Sequence, residues 1–189
     1  ALMLVEQGKL ALDDEVGQYV KGFYNIKVGE EKPGPDGKPE LSLVAPKRPI
    51  LIHDLLRQSA GIPYASLAYG VVKKPYDDAD LMSGKFTNAE VADKITALPL
   101  ISQPGEYWTY GHATDVLGRV IEVVSGKTLY QFEKENLLDP LGMTNTSFFV
   151  TDPAKQALLA EPLPNKNDKL DRDPRIVTRW ESGGGGMVS

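Results

Sequence analysis

Apolar positions recur with helical spacing at several points along the chain, separated by stretches with no period at all. Leu2, Leu4 and Val5 precede Gly8, which predicts a short helix with those three residues on a core-facing side and the glycine at its end. The chain thus opens inside a helical pattern, and a helix that begins upstream of Ala1 is expected. Leu10 to Val20 reads as a strand-like exit followed by a short helix with Asp13 or Asp14 as N-cap. Between Pro49 and Gly61, the residues Ile52, Leu55 and Leu56 form the stripe of another short helix, which Gly61 ends. Thr87-Asn-Ala-Glu90 is a capping box that opens a helix running to about Leu98. Val116, Leu117, Val120, Ile121 and Val124 mark a long amphipathic helix over roughly 112–125, closed by Gly126. Thr128 to Gln131 is a second capping box, and its helix ends near Pro140. Residues 29–40 carry turn formers and no apolar period, which predicts an exposed loop or hairpin. Residues 62–86 read as irregular, with tyrosines at 64, 69 and 76. After Leu141 the chain is rich in Pro and Gly, with Thr146 to Val150 as a candidate strand. No internal repeat is present, and the sum is mostly helical with little strand.

Composition narrows the function classes. With 189 residues and 41% hydrophobic content the chain has the length of one domain, or one lobe of a larger one, and enough apolar surface for a core. The net charge is −5, with no basic stripe to neutralise phosphates, which argues against nucleic acid as a partner. No apolar run approaches the roughly 20 residues needed to span a bilayer, so no membrane span is expected. The absence of cysteine removes disulfides, thiolate metal sites and cysteine nucleophiles from these residues. His53 and His112, the two histidines, lack helical metal-ligand partners at i+4, and no cofactor is implied. There is no Gly-x-Ser-x-Gly elbow. Gly183 to Gly186 lack the Lys-Ser/Thr and the helix of a phosphate-binding loop, so they are read as glycines that permit close backbone packing. Lys127-Thr128 reads as a cap, and the pairs Asp13/Asp14 and Asp77/Asp78 read as acids at helix starts.

The segment with chemistry in it is Gln103-Pro-Gly-Glu-Tyr-Trp-Thr-Tyr110-Gly-His112. A Pro-Gly turn leads into an extended stretch, which delivers Tyr110 to the mouth of the long apolar helix. Together with Leu4 to Leu10 and Leu12-Asp-Asp14, Pro49 to Leu56 and Ser59-Ala-Gly61, Asp115 to Gly118, Val123 to Gly126, and Pro140 to Thr144, in that order, this segment resembles the serine β-lactamase-like, class C penicillin-binding-protein-like hydrolases. The resemblance is to their esterase branch, the family VIII carboxylesterases, and it spans nearly the whole chain. It implies an α/β (α+β) β-lactamase/transpeptidase-like fold in which residues 1–189 are a partial domain. They would supply mostly the helical subdomain and the loops that frame the cleft, with sheet portions lying outside at both ends.

The resemblance makes Tyr110 the catalytic tyrosine. A free phenol has a pKa of about 10, so it works at neutral pH only if ammonium groups stabilise the phenolate or if it relays a proton between serine and lysine. The family's Ser-x-x-Lys occurs nowhere in these residues, and the resemblance places it about two helical turns before Ala1. His112 takes the place where β-lactamases of the family carry a substrate-contacting asparagine, which shifts the expectation from β-lactams towards esters. Its other reading is a helix cap or a solvent-facing side chain. Pro63, Tyr64, Tyr69, Tyr107 and Trp108 are candidate walls of a substrate cleft, with His112, Tyr64 and Trp108 as the binding residues. The expected parent is a serine hydrolase that cleaves carboxylic esters through an acyl-enzyme, with residues 1–189 alone inactive. Its partner would be a small-molecule ester or amide, and the fragment would associate through surface that truncation exposes. The alternatives are a β-lactamase or D-alanyl-D-alanine peptidase, and a non-catalytic binding module on the same scaffold.

Overall fold

A computed structural model describes residues 1–161, 173–176 and 179–189. Helix α1 (Leu2–Glu6) ends before Gly8, whose φ is +66°. Its core residue is Leu4; Leu2, expected on the buried side, is exposed. Helix α2 spans Val16–Tyr19 with Glu15 at its N-cap, so neither Asp13 nor Asp14 caps it. Asp14 instead accepts hydrogen bonds from the Ala11 amide (2.7 Å) and the Tyr19 hydroxyl (2.6 Å), folding the approach to the helix. Strands β1 (Val28–Pro33) and β2 (Pro39–Val44) pair antiparallel, Val28 opposite Val44 and Pro33 opposite Pro39. This is the hairpin that residues 29–40 suggested, and the only sheet among the described residues. Thr146 to Val150 forms no ladder; Ser147 makes a single antiparallel pairing with Val188.

Helix α3 (Ile52–Leu56) buries Ile52 and Leu55 and leaves Leu56 exposed. It stops earlier than Gly61. The Gln58 N–H donates to the Leu55 carbonyl (3.2 Å) and the Ser59 N–H to the Asp54 carbonyl (2.8 Å), a Schellman ending. Gln58 therefore holds the left-handed position that glycine usually fills, with φ +56°, at a cost of about 1–2 kcal/mol for a residue with a Cβ. Residues 62–86 are more regular than expected. They contain helix α4 (Lys73–Ala79), preceded by two 3₁₀ turns (Ala65–Leu67 and Gly70–Val72) and followed by one (Leu81–Ser83). Asp77 and Asp78 lie near the end of α4, not its start, and pair one turn back with Lys73 (3.0 Å) and Lys74 (2.7 Å).

Both capping boxes form as read. Thr87 and Glu90 exchange hydrogen bonds at the start of α5 (Asn88–Thr96), and Thr128 and Gln131 do so at α7 (Leu129–Glu133). Between them runs α6 (Ala113–Ser125), ended by Gly126 in the left-handed conformation. Val116 and Val120 are fully buried, and Leu117 and Ile121 nearly so. Helices α2, α3, α5 and α7 all pack on α6, which makes it the axis of one continuous core. Beyond α7 the chain continues in a π-helical turn, Lys134–Leu138, and then a short α8 (Pro153–Gln156). Among the described residues no helix is long and apolar enough to cross a membrane.

Candidate active site

Residues 101–112 run beside residues 58–63, and backbone bonds join the two segments. Gly105 donates to the Ser59 carbonyl (2.8 Å), Ile101 to Gly61 (2.9 Å), Thr109 to Gln58 (2.6 Å) and His112 to Ile62 (3.1 Å). The approach is close enough to exclude side chains: a Cβ on Gly111 would overlap the Ile62 carbonyl and Pro63 backbone. Under the Pro104-Gly105 turn lies a buried carboxylate, Asp54. Arg48 grips both its oxygens (2.6 and 2.9 Å), and the Leu51 amide donates to it (2.9 Å). Burial pushes the Asp54 carboxyl upward, but the Arg48 and Leu51 hydrogen bonds outweigh it and hold the group below its ordinary range.

The four residues named from the sequence come together in one row. Trp108 stacks on Tyr110 with ring centroids 5.9 Å apart and planes at 14°. Tyr110 meets Tyr64 edge to face at 5.3 Å, and Tyr64 meets His112 in the same way at 4.6 Å. Exposure falls steeply along the row, from 72% at Trp108 and 44% at Tyr110 to 0% at His112. Trp108 and Tyr110 are two positions apart in an extended stretch, which puts both on one side of it. With Leu67, Tyr69, Tyr107 and Glu30 they line a cleft of about 530 Å³. Tyr64, Pro63 and His112 stand behind that wall instead of forming it.

The rear of the row is a closed polar node. Asp115, in the first turn of α6, faces back to His112 with 2.9 Å between Oδ2 and Nδ1. A carboxylate can only accept, so Nδ1 carries the proton. Its other oxygen accepts from the Ser182 hydroxyl (2.5 Å) and the Gly184 amide (3.2 Å). Three donors thus serve one buried anion at a helix N-terminus, where the dipole also favours it. The His112 ring neither caps backbone nor reaches solvent. Ser182 is no activated nucleophile, because its proton is directed to a carboxylate and not to an imidazole. The glycines after it pack as the sequence suggested. A Cβ on Gly183 would overlap the Thr114 carbonyl, and one on Gly184 would come within 3.0 Å of the Tyr64 hydroxyl. Burial first, then the Asp115 carboxylate and the Tyr110 phenol, push the Tyr64 phenol up to about 12. It stays neutral throughout the neutral range.

Among the described residues no group of three or more His, Asp or Glu side chains is placed to hold a metal ion. Sequence reading passed over Gln58, Asp115 and Ser182. Asp115 had a signal, since it follows His112 by three positions and so shares its face of the helix start.

The Beta-lactamase family model matches residues 1–189, and the chain belongs to that family. Its fold is the β-lactamase/transpeptidase-like one. A solved structure titled EstCE1, a hydrolase with promiscuous acyltransferase activity, matches at a TM-score of 0.70 and 27% identity, over 97% of this chain and 50% of that one. Protein Rv1367c of Mycobacterium tuberculosis (strain H37Rv) is 32% identical across the whole chain, which covers 47% of that protein. Lovastatin esterase of Penicillium rubens is 31% identical, again across the whole chain and 44% of that protein. The chain therefore spans about half the length of the curated relatives it matches.

Proposed function

We propose that Tyr110 is the proton-handling residue of a serine hydrolase that cleaves carboxylic esters through an acyl-enzyme. The observation that carries this is its placement: a phenol open to a cleft of about 530 Å³ on a backbone bonded immediately before and after it. On this reading residues 1–189 are the helical, cleft-framing part of a larger domain. The serine of a Ser-x-x-Lys, which these residues lack, attacks the ester carbonyl. Its proton passes to Tyr110 and the adjacent lysine, and then to the departing alcohol. Water reverses the path, attacking the acyl-enzyme and releasing the acid and the serine. Residues 1–189 alone supply the tyrosine and the apolar walls but no nucleophile, and are inactive by themselves.

Trp108, Tyr69 and Tyr107 suit an apolar acyl or alkoxy group. Tyr64 and His112 bear on the substrate from behind, through the placement of Tyr110. The enclosure of His112 favours an ester over a β-lactam, because an imidazole bonded to Asp115 offers the cleft no counterpart to a substrate-contacting asparagine.

The test is made on the full-length protein that contains this chain, with a short-chain p-nitrophenyl ester, a chromogenic cephalosporin and a fluorophosphonate probe. Tyr110→Phe is expected to lower kcat for the ester by about 10²–10⁴-fold with folding unchanged. One fluorophosphonate adduct per chain is also expected, and ester turnover faster than cephalosporin turnover. Activity of Tyr110→Phe within threefold of the unmodified protein sinks the assignment. Faster cephalosporin turnover moves it to a β-lactamase, and the absence of any adduct to a binding module.

A further inference from the structure

The two N–H groups on either side of Tyr110 end on the same residue. The Thr109 N–H donates to the Gln58 backbone carbonyl (2.6 Å), and the Gly111 N–H to the Gln58 side-chain Oε1 (3.2 Å). We infer that Gln58 is a positioning residue for Tyr110, a two-point clamp that fixes the Trp108–Thr109 peptide ahead of the tyrosine and the Tyr110–Gly111 peptide directly after it, and so the direction in which its phenol enters the cleft. The inference rests on the catalytic reading of Tyr110 given above.

Three features support it. Gln58 sits at the left-handed stop of α3, where glycine would be free of strain, yet it carries a long side chain. The only other described residue with a Cβ at positive φ is Asp80, which does not line the cleft. A residue kept in an unfavourable conformation next to a cleft points to a use for its side chain, and here the use is visible. The left-handed turn is also what makes the clamp possible, because it lets carbonyl and side chain of one residue reach the same neighbouring strand. Finally, Tyr110 is nearly half exposed, so the backbone beneath it joins the Trp108 and Tyr64 rings in setting its aim. The bond to Gly111 requires an acceptor, which assigns Oε1 and not Nε2 to that contact.

The experiment compares Gln58→Gly, Gln58→Leu and Gln58→Glu in the full-length protein, with Tyr110→Phe as reference. It reads ester kinetics, melting temperature and amide hydrogen exchange at Thr109 and Gly111. Gln58→Gly keeps the backbone bond and fits φ +56° without strain, so its melting temperature should not fall. Its kcat should fall about 10-fold with KM within twofold, and Gly111 exchange should speed up about 10-fold. Gln58→Leu should show the same kcat and exchange changes. Gln58→Glu retains an acceptor and should recover at least half of kcat. A purely structural residue would behave oppositely, with activity tracking stability and glycine harmless. Leucine with kcat and exchange within twofold of the unmodified protein overturns the clamp. If Tyr110→Phe proves fully active, the catalytic reading fails, while Gly111 exchange in the glycine and leucine variants still decides whether the clamp exists.

Discussion

Trp108 and His112 are four positions apart, at opposite ends of one aromatic row, and the chain secures them by different means. At the front, Trp108 and Tyr110 are held through the backbone of the residues next to them, Thr109 and Gly111. Gln58 takes up the N–H groups of Thr109 and Gly111, and both rings are left to the cleft. At the rear, His112 shares the backbone anchorage through its N–H bond to Ile62, but its side chain is held as well: Asp115 spends both oxygens on it, Ser182 and Gly184. A residue anchored by its main chain keeps its functional group free for chemistry. One anchored by its side chain has committed that group to structure. The same short segment therefore contains an end open to the cleft and a supporting end, and what bonds each residue tells them apart better than residue type does.

The comparison can be broken at several points. The largest effect is expected at the rear. Asp115→Ala removes the acceptor of two buried donors, His112 and Ser182, and should cost about 3–5 kcal/mol, read as a fall in urea midpoint at unchanged m-value. A loss below about 1 kcal/mol would show that the node is not what holds the rear. Next is the charge beneath the front. Arg48→Met leaves the Asp54 carboxylate enclosed without its main partner and should cost about 2–3 kcal/mol at neutral pH, less than a fully buried pair because Arg48 is partly hydrated. The pH dependence follows from the sign of the shift. Asp54 is depressed in the fold, so its contribution is complete above the unfolded value of about 3.9 and is lost as pH falls through the lower folded value. Arg48→Met should therefore unfold at a higher pH in an acid titration. A greater loss here than at Asp115 would reverse the contrast, placing the charge-held anchor at the front. The smallest effect on stability is expected at Trp108→Ala, within about 0.5 kcal/mol, since the ring is largely exposed. Its signature should be a raised KM for bulky esters instead.

What was legible in the sequence was local. The two capping boxes, the stripe of α6 and its closing Gly126 are set by neighbours within one or two turns, and all are found in place. The stop of α3 was misread because a glycine lay three residues further on, while Gln58 is held left-handed by bonds to residues 109 and 111 that no local pattern encodes. Helix α4 was passed over because its apolar content is slight. The pairing of Lys73 and Lys74 with Asp77 and Asp78 at i,i+4 was present but read as acids at a helix start. Tyr64, Trp108, Tyr110 and His112 were named through a family resemblance, and their rings lie in one row. Which of them faces the cleft depends on where residues 182–184 lie, and that is invisible from the segment itself.

The rear node also sets a schedule for synthesis. Every partner that Tyr110 needs from residues 58–63 precedes it along the chain, so the front can close as soon as residue 111 is free to fold. Asp115 must wait for Ser182, 67 positions later. At about 5–20 residues per second that is an interval of about 3–13 s. During it the first turn of the central helix carries a solvated carboxylate and an unfinished wall. A nascent chain passes through a stage in which the cleft face is already shaped and its backing is still wet.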